Sequence, residues 1–306
     1  MDLVESMSPL MLSDVNNELE CAVVSLSTDL IVKVVQFAVL HGNGNVIAVV
    51  ELVGTDDDQL SLLQQSTEHL CSSVTAIRID GVLFFYPRHR CGPRMKFFDR
   101  DGTHELMCGN GLRCVSRYAV DRGVFAGSGV IITDDGAKRV QVTGEHAEVV
   151  IGSPREVQKL TGDRWFAFTG VAHLVEFVDS IATLDAIDVS AVGAQLSHDP
   201  ALCQLLGHPE GLHVNFVAAH EDHLAVRTYE VGVEAETQCC GTGAAATAYL
   251  SWRAGLASLP AVLRTRGGQV RISYENGDLT LAGPVRYVTE PRPVPRLLQT
   301  VKGTSA

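Results

Sequence analysis

The chain has 306 residues, 46% hydrophobic and 20% charged, which excludes a largely disordered or fibrous protein and leaves room for about two domains of ~150 residues. Lys+Arg 24 against Asp+Glu 36 gives a net charge of −12. That disfavours a nucleic-acid partner, because counterion release needs a basic face, and leaves small-molecule substrates open.

The first residues, MDLVESMSPLML, carry Asp2 and Glu5 where a secretion signal would be basic. Residues 21–40 are the most apolar early stretch, but Asp29, Lys33 and Gln36 interrupt it, so it reads as strands and not as a membrane span. A cytoplasmic location is expected, with no membrane partner. Eight cysteines (21, 71, 91, 108, 114, 203, 239 and 240) in a reducing compartment are thiols, not a disulfide framework.

Further along, β-rich pieces at 46–50, 81–86, 130–133, 140–143, 148–151, 214–217, 223–229, 269–274 and 285–288 are bounded by Gly, Asp, Asn and Pro turns. Helical periodicity begins near Asn110 and near Thr242, each run stopped by a glycine (Gly123, Gly255), and a third helix is expected over 182–196. The expected class is α+β, with strands outnumbering helices. An N-terminal half, 1–128, would carry 1–33 as a peripheral extension and take back a strand near 283–290. A C-terminal half would span 129–282, with a seam at 122–129, and 291–306 would be a Pro-rich tail.

One long-range echo stands out. Cys108-Gly-Asn-Gly111 opens the first helix and Cys240-Gly-Thr-Gly243 the second, 132 positions apart (240 − 108). Each follows a polar approach, Thr103-His-Glu105 or Glu236-Thr-Gln238, which suggests duplicated halves facing each other. A thiol at a helix N-terminus lies beside unsatisfied N–H groups and the positive dipole end, which favour the thiolate. Two such ends around one bound carboxylate would supply an acid and a base on opposite faces of its α-carbon, the requirement for stereoinversion.

Plainer readings exist for most of these residues. Cys21, Cys71, Cys91, Cys203 and Cys114 read as small buried hydrophobes. Cys239 competes with Cys240, but only Cys240 adjoins a glycine as Cys108 does. No metal is expected, since Cys108-x5-Cys114 and adjacent Cys239-Cys240 lack zinc-ligand spacing. His41-Gly-Asn-Gly-Asn45 is by itself only a turn, and no P-loop lysine motif is present.

Together, His41-Gly-Asn-Gly-Asn45, Arg94-Met-Lys-Phe-Phe-Asp-Arg-Asp-Gly-Thr103, the segment Cys108 to Cys114, Gly170 to Val178 and Glu236 to Ala244 resemble the diaminopimelate epimerase family of pyridoxal-independent amino-acid racemases. The resemblance runs from about Phe37 to Val288. It implies two pseudo-symmetric domains, each a β-barrel-like mixed sheet around a central helix, with the site in the cleft between them. It further implies Cys108 and Cys240 as the acid/base pair and no cofactor. Asn45, Asn110, Gly111, Gly241, Thr242 and Gly243 would hold the amino acid, with His173 and Glu230 near the reacting centre. A homodimer is compatible with it.

Four positions depart from the family pattern. Family asparagines are replaced by Asp99, Val171 and His213, and the arginine that pairs with a distal carboxylate by Val231, in a segment one residue longer than usual. Asp99 and His213 beside apolar valines suit a flat side chain with N–H donors. The expected substrate is histidine, as in the histidine racemases of opine-metallophore biosynthesis. Diaminopimelate epimerisation, or a proton shift on another small carboxylic acid, is the alternative.

Overall fold

The computed structural model describes residues 7–29, 33–54 and 59–293. In chain order it runs α1 (Pro9–Asp29), β1 (Lys33–Gly42), β2 (Asn45–Val53), α2 (Leu60–Ser73), β3 (Gly81–Tyr86), β4 (Arg94–Asp99), β5 (His104–Glu105), α3 (Gly109–Asp121), β6 (Ser128–Thr133), β7 (Gly136–Thr143) and β8 (His146–Gly152). It continues through β9 (Arg155–Lys159), β10 (Arg164–Phe168), β11 (Ala172–Val178), α4 (Ile181–Ala186), α5 (Val189–Ser197), α6 (Pro200–Leu206), β12 (His213–Ala219), β13 (Leu224–Glu230) and β14 (Ala235–Thr237). The last elements are α7 (Gly241–Arg253), β15 (Ala261–Thr265), β16 (Gly268–Glu275), β17 (Asp278–Pro284) and β18 (Arg286–Pro293). The class is α+β, as the sequence indicates.

Strand pairing exposes a duplication. In the first half β1 and β2 form a hairpin, β2 runs parallel to β3, β4 parallel to β6, and β6, β7 and β8 form a meander. In the second half β10, β11, β12, β13, β15, β16 and β17 repeat that pattern, with parallel pairs at β11–β12 and β13–β15. The last strands of the two units, β8 and β17, pair antiparallel and join them. Each unit curls around one helix. α3 packs on β1, β2, β3, β7 and β8, whereas α7 packs on β10 to β13 and β15 to β17. One continuous core links both, from Leu83, Leu112 and Val115 to Ala245, Leu263 and Leu281.

Several boundaries differ from expectation. The seam expected at 122–129 falls ahead of β6–β8, and α3 is the helix on which β7 and β8 pack, while β8 also pairs with β17. β18 pairs antiparallel with β1. That pairing includes Arg292 and Pro293, the start of the supposed tail; residues 294–306 lie outside the described ones.

Residues 21–29 are helical, not extended. Val15, Leu19, Ala22 and Val23 bury against Phe37, Val39 and α2, so this segment completes a second core and is not merely peripheral. The single helix over 182–196 is two, because Asp188 caps a new helix by accepting from Ala191 N–H at 3.0 Å. Cys21 and Cys91 are exposed, whereas Cys71, Cys114 and Cys203 are buried. Among the described residues no helix is long and apolar enough to cross a membrane.

Candidate active site

Each signature cysteine is the N-cap of its helix. Cys108 has extended backbone (φ −123°) and its Sγ accepts from the N–H of Gly111 at 3.3 Å. Cys240 (φ −98°) accepts from Gly243 at 3.4 Å. Sulfur thus takes the place of the usual Ser or Asp oxygen on the third helical N–H. The following glycines allow close approach. A Cβ on Gly109 would lie 3.6 Å from Gly241 Cα, and one on Gly241 would lie 3.3 Å from Asn110 Oδ1. The two helix N-termini therefore abut across the join between the halves.

A cavity of about 500 Å³ opens at this meeting point, lined by both cysteines. Asn45, Asp99, Asn110, His213, Glu230, Gly241 and Thr242 line it too. Asn45 arrives there because Asn43 (φ 55°) and Gly44 (φ 81°) make the two-residue turn between β1 and β2. Asn110 donates to Cys239 O at 2.7 Å and accepts from Arg113, a fully buried guanidinium that also donates to Asn43 Oδ1 and Pro284 O.

Three expected residues stand back from the cavity. Gly111 and Gly243 face the sulfurs from within the helices and do not line it. His173 is fully buried behind Thr242: its Nε2 lies 3.0 Å from Thr242 Oγ1, which is in turn 3.4 Å from Cys240 Sγ. His173 therefore touches Thr242 and does not line the cavity.

The electrostatics are acidic. Burial, then the charges of Glu105 and Glu230, push Asp99 up to about 8. Burial also lifts Glu105 to about 6 and raises Glu230, which accepts from the Thr237 hydroxyl. Asp80 and Glu105 line the cavity as well. Sequence spacing missed Asp80. For Glu105, the echo of Thr103-His-Glu105 with Glu236-Thr-Gln238 was the available signal; Glu236 itself is held by Arg227. The cavity-lining Arg78 was missed too, and its Nε pairs with Asp80 at 3.1 Å. Burial lowers His213 to about 4, so its imidazole is neutral.

The thiols depart from expectation. Burial pushes Cys108 and Cys240 above the ordinary thiol range, and the carboxylates of Asp99 and Glu230 raise Cys108 further. The N–H contacts from Gly111 and Gly243 oppose this and are outweighed. Both groups rest as protonated thiols.

A sequence profile described as diaminopimelate epimerase matches residues 37–157 and 166–288, one block for each repeat. The chain belongs to the diaminopimelate epimerase family. A diaminopimelate epimerase of Methanothrix thermoacetophila is 32% identical over 286 residues, covering 87% of this chain and 99% of its own. A phenazine biosynthesis protein of the PhzF family from Bacillus anthracis superposes with a TM-score of 0.65 at 14% identity, covering 86% of this chain and 99% of that one. A hydroxyproline epimerase from Agrobacterium vitis gives 0.56 at 17% identity, covering 85% and 92%. At such identities the two structures show the shared fold alone. Family membership makes the chain an isomerase of the racemase and epimerase type.

Proposed function

We propose that the chain inverts the α-carbon of an amino acid without a cofactor, using Cys108 and Cys240 as an acid/base pair. The observation that carries this is the placement of two N-cap thiols, one from each repeat, on the wall of one cavity. With the α-carboxylate at the paired helix N-termini, near the N–H groups of Asn110 and Thr242, negative charge developing on it is stabilised. One sulfur, once ionised, takes the α-proton; the opposite thiol gives its own proton to the other face. The next turnover runs in the reverse sense.

The proposed substrate is histidine. Val171, Val231 and Phe97 supply apolar walls, and Asp99 and Glu105 supply acceptors for ring N–H groups. A protonated or N–H-rich side chain also offsets the burial, and the neighbouring negative charge, that hold Asp99 near 8. Arg78 favours the second reading, diaminopimelate, because it offers a cation for a distal carboxylate at the cavity wall. The enzyme incubated in D2O with single L-amino acids and with diaminopimelate separates them. Solvent deuterium and inversion at the α-carbon of histidine, with diaminopimelate untouched, is the expected result. Turnover of diaminopimelate but not histidine overturns the substrate assignment.

A further inference from the structure

We propose that His213, Glu230 and Cys240 form a binding site for a thiophilic divalent cation of the Zn2+ type, and that its occupancy withdraws Cys240 from proton transfer. One donor atom from each of the three lies within 4.8 Å of the other two. They converge from separate elements, the start of β12, the end of β13 and the N-cap of α7, so no linear motif marks them. The expectation of no metal came from linear spacing, which this convergence bypasses.

Sulfur, imidazole nitrogen and carboxylate oxygen are a donor set suited to a borderline-soft ion. Metal–ligand bonds of about 2.0–2.3 Å bring tetrahedral donors to about 3.3–3.8 Å of one another, so modest side-chain rotations close the site. All three residues line the cavity. His213 Nδ1 is buried with no hydrogen-bond partner among the described residues. A single dication balances a thiolate and a carboxylate in a buried place where each alone is costly.

Binding is an exchange of proton for metal. The S–H bond of Cys240 breaks, its proton leaves to water, and the S–metal bond forms with no change of oxidation state. The metal-binding half stands independently of the racemase assignment; only the inhibition rests on it.

The test uses the full chain, freed of metal with a chelator and kept reduced, titrated with Co2+ and then Zn2+. The expected result is one equivalent bound, with a thiolate-to-cobalt charge-transfer band that Zn2+ abolishes. Cys240→Ser loses the band, Cys108→Ser keeps it, and His213→Gln and Glu230→Gln each weaken binding at least about ten-fold. Circular dichroism of each variant shows that it is folded. A folded parent without the band, or a band that survives Cys240→Ser, overturns the site. Metal that binds as described yet leaves α-proton exchange untouched overturns the inhibition and the role of Cys240, while the site stands.

Discussion

The side-chain amide of Asn110 donates to the main-chain carbonyl of Cys239 at 2.7 Å, tying the first turn of α3 to the residue before the second thiol. Its other side-chain atom, Oδ1, accepts from Arg113 at 2.6 Å. A single residue therefore holds the separation of the two sulfur-bearing turns, and the buried guanidinium holds that residue.

Replacing Asn110 with alanine leaves a buried carbonyl and a buried guanidinium short of a partner. The expected cost is about 1–3 kcal/mol of stability. Racemisation falls further than stability alone accounts for, because the sulfurs lose their fixed spacing. Urea unfolding together with turnover at a temperature where the variant is fully folded checks both parts.

Glycine at the helix contact is a steric requirement. A methyl on Gly241 would meet Leu281 Cδ2 at 2.9 Å and Asn110 Oδ1 at 3.3 Å, so Gly241→Ala displaces Leu281 and crowds the side chain that links the two N-termini. Overpacking of this kind costs about 1–3 kcal/mol and is expected to lower activity sharply. Gly255→Ala, at φ 75° with nothing within 4 Å of the added methyl, carries only the left-handed backbone strain of about 1–2 kcal/mol and leaves turnover unchanged. Comparing the two variants at equal folded fraction separates site geometry from stability.

Buried histidines and the buried acid act on stability in opposite directions. Burial holds His173 and His213 below the ordinary imidazole range, so the unfolded chain binds protons there that the folded one refuses. Stability contributed by these sites is lost as pH falls below ~6.5. Asp99, raised to about 8, gives the reverse: the folded state keeps a proton that the unfolded state releases, so stability declines as pH rises from ~4 towards 8. Asp99→Asn is expected to remove that alkaline decline, and His213→Gln to reduce the acid one. Chemical denaturation at a series of pH values reads both slopes.

The catalytic pH profile follows from the raised thiols. One sulfur must ionise and the other must keep its proton, so the rate against pH is bell-shaped. With burial lifting both, its maximum is expected on the alkaline side of neutrality. A maximum below pH 6 in initial-rate measurements contradicts the raised thiols.

The sequence made β2, β3, β6, β7, β8, β12, β13, β16 and β18, the helices after Cys108 and Cys240, and part of the cavity lining legible, because glycine turns, periodicity and a repeated tetrapeptide are local signals; β4, β10, β11, β15 and β17 were not read as strands. The early Val- and Leu-rich stretch was less so: its β-like composition belongs partly to α1, whose buried face exists only once β1 and α2 are in place. Gly123 follows the end of α3, yet β7 and β8 beyond it still pack on that helix, a contact that no local signal announces. Burial outweighed the helix-end effect at both thiols, and it also removed His173 from the cavity. Such solvation effects depend on what folds over a residue, which no single segment records.

The most direct measurement is α-carbon inversion of the substrate in D2O by Cys108→Ala and Cys240→Ala, each compared with the parent. The parent is expected to give inverted product carrying solvent deuterium, and each variant to lose racemisation by roughly 10²–10⁴-fold while keeping its fold. Full racemisation by either folded variant contradicts the two-thiol account.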